Sequence, residues 1–109
     1  MNWLDQVHVE LQRAEAAKRS SNAGRLRTSA RRAVGIALAE LQRRIPEKKY
    51  GQDFIGQLRS FAADLSVPEE ARMAAERLHT RLSPQFESPS LNPIDDANIV
   101  IRFVVGKLA

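Results

Sequence analysis

The stretch at residues 24–41, GRLRTSARRAVGIALAEL, constrains this chain more than any other part of it. An arginine-rich first half runs directly into residues 33–39, where no polar side chain occurs. Leu26, Ala30, Ala33, Ala37 and Leu41 recur every three or four positions and mark one face of a helix, which Val34 and Leu38 widen. The opposite side carries Gly35, Ile36 and Ala39 rather than charges. A helix that is apolar nearly all round is buried on more than one side. The expectation is therefore a central helix over about 25–44, ending before Pro46 because the residue ahead of a proline is pushed out of helical geometry. Its small residues, Gly35 and Ala39, are expected to face a closely packed neighbour. Its arginine-rich half should emerge toward solvent.

Four further helices follow from the same periodicity. Leu4, Val7, Leu11 and Ala14 define a first helix over about 2–19, and Ser20 to Gly24 supply a short turn, so the second helix should run back antiparallel to the first. Residues 46–52, PEKKYGQ, read as a charged loop. Phe54, Leu58, Phe61, Ala62 and Leu65 form the stripe of a third helix over about 53–65. Ser66-Val67-Pro68-Glu69 fits a capping box at the start of a fourth, with Val67, Ala71, Ala74, Ala75, Leu78 and Leu82 as its apolar face. A long loop over 83–92 contains Pro84 and Pro89. Asn92-Pro93 then reads as a cap with proline in the first turn, and Asp95 and Asp96 suit the positive end of a helix dipole. The last helix should bury Ile94, Ala97, Ile101, Val104 and Leu108. Val100, Phe103 and Val105 exceed that stripe, which points either to a helix wedged between two others or to a partner chain, a second copy included, on the C-terminal helix.

A chain of 109 residues suffices for one domain with a single core. The sequence predicts an all-α, compact antiparallel bundle of about five helices over residues 1–109, two long N-terminal ones and three shorter. The absence of cysteine removes disulfides, thiolate metal sites and a cysteine nucleophile. The first residues lack the basic-then-apolar order of a secretion signal, and no apolar run approaches the roughly 20 residues of a membrane span. The expectation is a cytoplasmic protein with no membrane partner. Charge is uneven: residues 1–50 hold 11 Lys and Arg against 5 Asp and Glu, whereas residues 51–109 hold 6 against 8. A basic half attracts polyanions, nucleic acid first among them.

No acidic residue lies between Glu15 and Glu40, while Lys18, Arg19, Arg25, Arg27, Arg31 and Arg32 all fall in that gap. Arg25 and Arg32 share one side of the second helix, Arg27 and Arg31 another, and Lys18 and Arg19 end the first helix. Together they are expected to ring the turn and contact RNA or nucleotide phosphates. With no aromatic residue nearby for stacking, the pattern suits phosphate contact rather than base reading. His8, without a second histidine at i+4, reads as half-buried. Arg72 precedes His79 by seven positions, nearly two helical turns, which sets both on almost the same face. An imidazole beside a guanidinium can act as general base or acid while the arginine holds a phosphate. Glu69, Glu70, Glu76 and Arg81 are alternative ion-pair partners on that helix. No Walker loop, dinucleotide fingerprint or G-x-S-x-G context occurs, and the five glycines are scattered, so no cofactor or metal is expected.

Two long antiparallel helices followed by shorter ones, with Arg72 and His79 on a later helix, resemble the HEPN domains, small helical bundles that often dimerise. Many are ribonucleases or partners of nucleotidyltransferases in toxin–antitoxin pairs. Their nuclease motif is an arginine, usually a polar residue, and a histidine, with four to six residues between arginine and histidine. Arg72 and His79 fit that motif at its upper limit, with Met73 where the family usually has a polar residue. The stretch at 24–41 also looks like a segment of small bacterial HEPN-like proteins. The expected function is a non-catalytic binding or interaction module that uses its basic patch. The alternatives are a metal-independent ribonuclease in which two chains pair their Arg72 and His79, and a purely structural partner of another protein.

Overall fold

The computed structural model of the chain describes residues 2–80 and 90–109. Leu82, Arg81 and most of the proline-containing loop lie outside these residues. The described chain is all-helical, with α1 at Trp3–Arg19, α2 at Ala23–Arg44, α3 at Phe54–Ala62, α4 at Glu69–His79 and α5 at Pro93–Leu108. Two N-terminal helices are long, as expected, but α5 spans 16 residues and is nearly as long as the 17-residue α1.

Side-chain caps start four of the five helices. The carboxamides of Asn2, Asn22 and Asn92 accept from the backbone amides of Asp5, Arg25 and Asp95, and Asp53 accepts from Gly56. Each cap satisfies one of the amides that a helix start leaves without a partner. The expected capping box at α4 does not form. Pro68 occupies the cap position without a side-chain hydrogen bond. The Ser66 hydroxyl instead donates to Asp64 at 2.7 Å and accepts from Lys48.

The turn between α1 and α2 has a Schellman geometry. The Asn22 amide donates to the Ala17 carbonyl at 2.8 Å, and the Ser21 amide to Lys18 at 3.1 Å. This requires Ser21 to adopt a left-handed conformation, with φ of 57°, where glycine is the usual occupant. The turn folds α2 back along α1.

The central position of α2 is the organising fact of the fold, since it touches each of the other four helices. Ala30, Ala33, Val34, Ala37 and Leu38 are wholly buried, and Leu41 nearly so. Burial of a Val or Leu side chain contributes roughly 1.5–3 kcal/mol. Gly35 is buried because the ring of Phe54 lies over it: a Cβ built there would sit 1.9 Å from a ring carbon. The close approach expected of Gly35 is thus met by Phe54, whereas Ala39 faces outward.

α3 ends at Ala62, short of the expected Leu65, which is 83% exposed. The chain turns there because Asp64 is recruited by the loop before α3. Its carboxylate accepts from Lys48 Nζ at 2.8 Å and from the Tyr50 hydroxyl at 2.5 Å. Burial pushes the Asp64 carboxyl up, but the hydrogen bonds from Lys48, Tyr50 and Ser66 outweigh it and hold the group well below the usual carboxylate range. The Tyr50 phenol is pushed up, by burial first and then by Asp64. Phe61 stacks edge-on against Tyr50 and Phe103, with ring centroids 5.6 and 5.7 Å apart, which ties the loop, α3 and α5 into one core. Gln42 fastens the loop to α2 by accepting from the amides of Tyr50 and Gly51.

α5 packs chiefly between α2 and α4. That position buries Val100 fully and Phe103 partly, so the extra apolar residues of this helix are largely absorbed within the chain. Val105 remains 40% exposed. Asp95 and Asp96 lie in the first turn of α5, as expected, and Asp96 has a second role. It is 6% exposed, and Arg77 of α4 donates to it through Nη2 at 2.7 Å and Nε at 3.1 Å, while the Ser90 hydroxyl donates at 2.5 Å. This pair clasps α4 to α5. No helix among the described residues is long and apolar enough to cross a membrane.

Candidate phosphate-binding clefts

α2 emerges from the core at its N-terminal end, and there its arginines separate onto two flanks. Arg32 follows Arg25 by nearly two turns, so they share one flank. Arg27 and Arg31 are one turn apart on another.

On the second flank, α2, α3 and α4 meet around a cleft of about 630 Å³ lined by Arg27, Arg31, Arg59, His79, Thr80, Glu76 and Ile55. Arg31 is positioned by structure as well as charge. Its Nε donates to the carbonyl of Leu78, one of the last-turn carbonyls that a helix C-terminus leaves free. Burial, then the neighbouring charge of Arg27, lowers the Arg31 pKa from its ordinary value, although the group stays charged at any physiological pH. His79 Nε2 lies 2.8 Å from a carboxylate oxygen of Glu76, one turn earlier on α4. Arg27 and Arg59 have no carboxylate partner among the described residues. The cleft therefore presents two unpaired guanidiniums and one that is tethered through its Nε.

On the first flank, α1 and α2 enclose a second cleft of about 610 Å³, with Arg13, Arg25, Arg32, Ser20, Thr28 and Ser29 in its walls. Arg13 is paired with Glu10 at 2.7 Å. Arg25 and Arg32 have no carboxylate partner among the described residues, and no acidic side chain lines this cleft.

The six sequence-predicted basic residues thus do not form one ring. Arg25 and Arg32 enter the first cleft, Arg27 and Arg31 the second. Arg19 lies on a separate groove with His8, Leu11, Gln12 and Glu15, and Lys18 is exposed on none of the three. His8 is exposed rather than half-buried. Arg59 and Arg13 were not singled out in the sequence because isolated arginines carry no local signal.

Arg72 and His79 are not brought together within one chain. Arg72 donates through Nε to the Val67 carbonyl at 3.0 Å, at the start of α4, and does not line the His79 cleft. Seven residues of helix separate the two by about 10 Å along the axis. The partner expected for Arg72, Glu69 or Glu76, is replaced by a backbone carbonyl. Glu76 pairs with His79 instead. No group of three or more His, Asp or Glu side chains able to hold a metal converges among the described residues. Comparison with protein-family models, curated proteins and solved structures finds no match to this chain.

Proposed function

We propose that this chain is a non-catalytic binding module that contacts nucleic-acid phosphates, with the cleft between α2, α3 and α4 as its main anion site. The observation that supports the reading is the convergence of Arg27, Arg31 and Arg59 with His79 from three different helices. Two of these guanidiniums lack a carboxylate partner among the described residues, so their charge is available to an external anion. Guanidinium groups offer paired donors that match phosphate oxygens. No phenylalanine, tyrosine or tryptophan lines the cleft, which favours contact with backbone phosphates over base stacking. The same proposal includes a HEPN-like ancestry for the bundle, supported by the order of its helices and by the long N-terminal pair.

Catalysis stands outside this reading, because Arg72 is turned to the Val67 carbonyl and its joint use with His79 needs a second chain. The purified protein is expected to leave RNA uncut. Its affinity for single-stranded RNA should fall steeply as salt rises. Replacing Arg27 and Arg59 together by glutamine should weaken binding on the order of tenfold at low salt without moving the melting temperature. A parent protein that binds no RNA at low salt, or a double variant with parental affinity, would sink the reading.

A further inference from the structure

The cleft between α1 and α2 differs from the His79 cleft in two ways that bear on a ligand. Its lining contains no carboxylate. It is also rich in hydroxyls, from Ser20, Thr28 and Ser29. Ser29 is 3% exposed, and its side chain lies in the cleft wall. Beside it stand Arg25 and Arg32, whose charges are not neutralised by any described carboxylate. The Ser20 hydroxyl donates to the Ala16 and Ala17 carbonyls, which leaves Thr28 and Ser29 beside the two guanidiniums as donors suited to the acceptor-only oxygens of a phosphodiester.

We infer that this cleft is a second phosphate site and that the ligand is a flexible single strand of nucleic acid crossing α2, with different phosphates of one strand held in the two clefts. This rests on the reading of the His79 cleft as a phosphate site. The exposed first half of α2 forms the ridge between the clefts, and a helix with its side chains is about 10–12 Å across. One phosphate cannot occupy both sides of such a ridge. A duplex, stiff over roughly 150 base pairs, cannot bend over it, whereas a single strand can. Occupying both clefts with one molecule makes the second contact intramolecular, so a strand long enough to reach both binds more tightly than a mononucleotide by more than the added charge accounts for.

The test uses the full chain and a fluorescent oligouridylate of about 12 nucleotides, followed by anisotropy over a salt series. Arg25→Gln/Arg32→Gln should weaken binding on the order of tenfold and flatten the plot of log affinity against log salt by about 1.4, since each phosphate contact to a single strand contributes about 0.7. Arg27→Gln/Arg59→Gln should do the same independently. Uridine monophosphate and a duplex of equal length should compete poorly. Thr28→Glu, which sets a carboxylate at the rim of the first cleft, provides a second probe and should weaken binding in the same direction. Parental affinity and slope in both Arg25→Gln/Arg32→Gln and Thr28→Glu, with loss in Arg27→Gln/Arg59→Gln, would overturn the second site and leave the proposed function standing. The reverse pattern would overturn the His79 cleft as a site and the bridging strand with it. Competition by uridine monophosphate as effective as that of the oligonucleotide would contradict the bridging strand alone.

Discussion

The two halves of α2 share one unbroken helix and have opposite relations to water. From Ala33 to Leu41 six residues are buried, Gly35 among them, and the helix is packed on several sides. From Ala23 to Arg32 only Ser29 and Ala30 are buried, and the arginines line open clefts on two flanks. A rigid rod anchored at one end thus presents charge at the other without placing that charge in the core. Stability and anion affinity are separated along the axis, so substitutions in one half should read out folding and those in the other half binding.

Gly35→Leu is expected to have the largest effect on folding. A Cβ at this position already overlaps the Phe54 ring, and a full leucine must displace it, at a cost of about 1–3 kcal/mol. Urea denaturation measures this directly, and Phe54→Ala in the same chain should recover part of the loss. Parental stability in Gly35→Leu would show that Phe54, which is 41% exposed, swings away freely and that this side of the packed half is open.

Arg31→Gln sharpens the comparison by locating its exception. Arg31 belongs to the charged half but bonds the Leu78 carbonyl at the end of α4. Its loss should lower stability by about 1 kcal/mol, while Arg25→Gln and Arg32→Gln leave the melting temperature unchanged. Equal stability in all three would place Arg31 with the solvated arginines.

The smallest effect is expected at the turn that joins α1 to α2. Ser21→Gly should stabilise by about 0.5 kcal/mol, as relief of the left-handed strain exceeds the added freedom of the unfolded chain. A destabilised glycine variant would mean that Ser21 contributes a contact beyond its backbone.

Much of the bundle was legible in the chain. The centrality of α2 followed from an apolar surface too wide for one neighbour, and the start of α5 from Asn92-Pro93. What escaped was set by contacts between residues distant in sequence. Asp64 ends α3 early because Lys48 and Tyr50 reach it, which also draws Ser66 away from capping α4. Asp96 sits at the positive end of α5, as its position implied, but its pairing with Arg77 of another helix had no local signal. The site was half legible for the same reason. Helical periodicity separates Arg25 and Arg32 from Arg27 and Arg31, but nothing local shows that Arg59 and His79 fold onto the second pair or that Arg72 turns away.

The most direct test of the separation along α2 is an NMR titration of the arginine Nε–Hε resonances with the same oligouridylate. Arg25, Arg27, Arg32 and Arg59 should shift progressively with added strand. Arg43 and Arg44, both paired with Glu40 at the packed end of α2, and Arg77, clasped to Asp96, should stay in place. Shifts of equal size at Arg43, Arg44 and Arg77, or no shift at any arginine of the two clefts, would contradict the account.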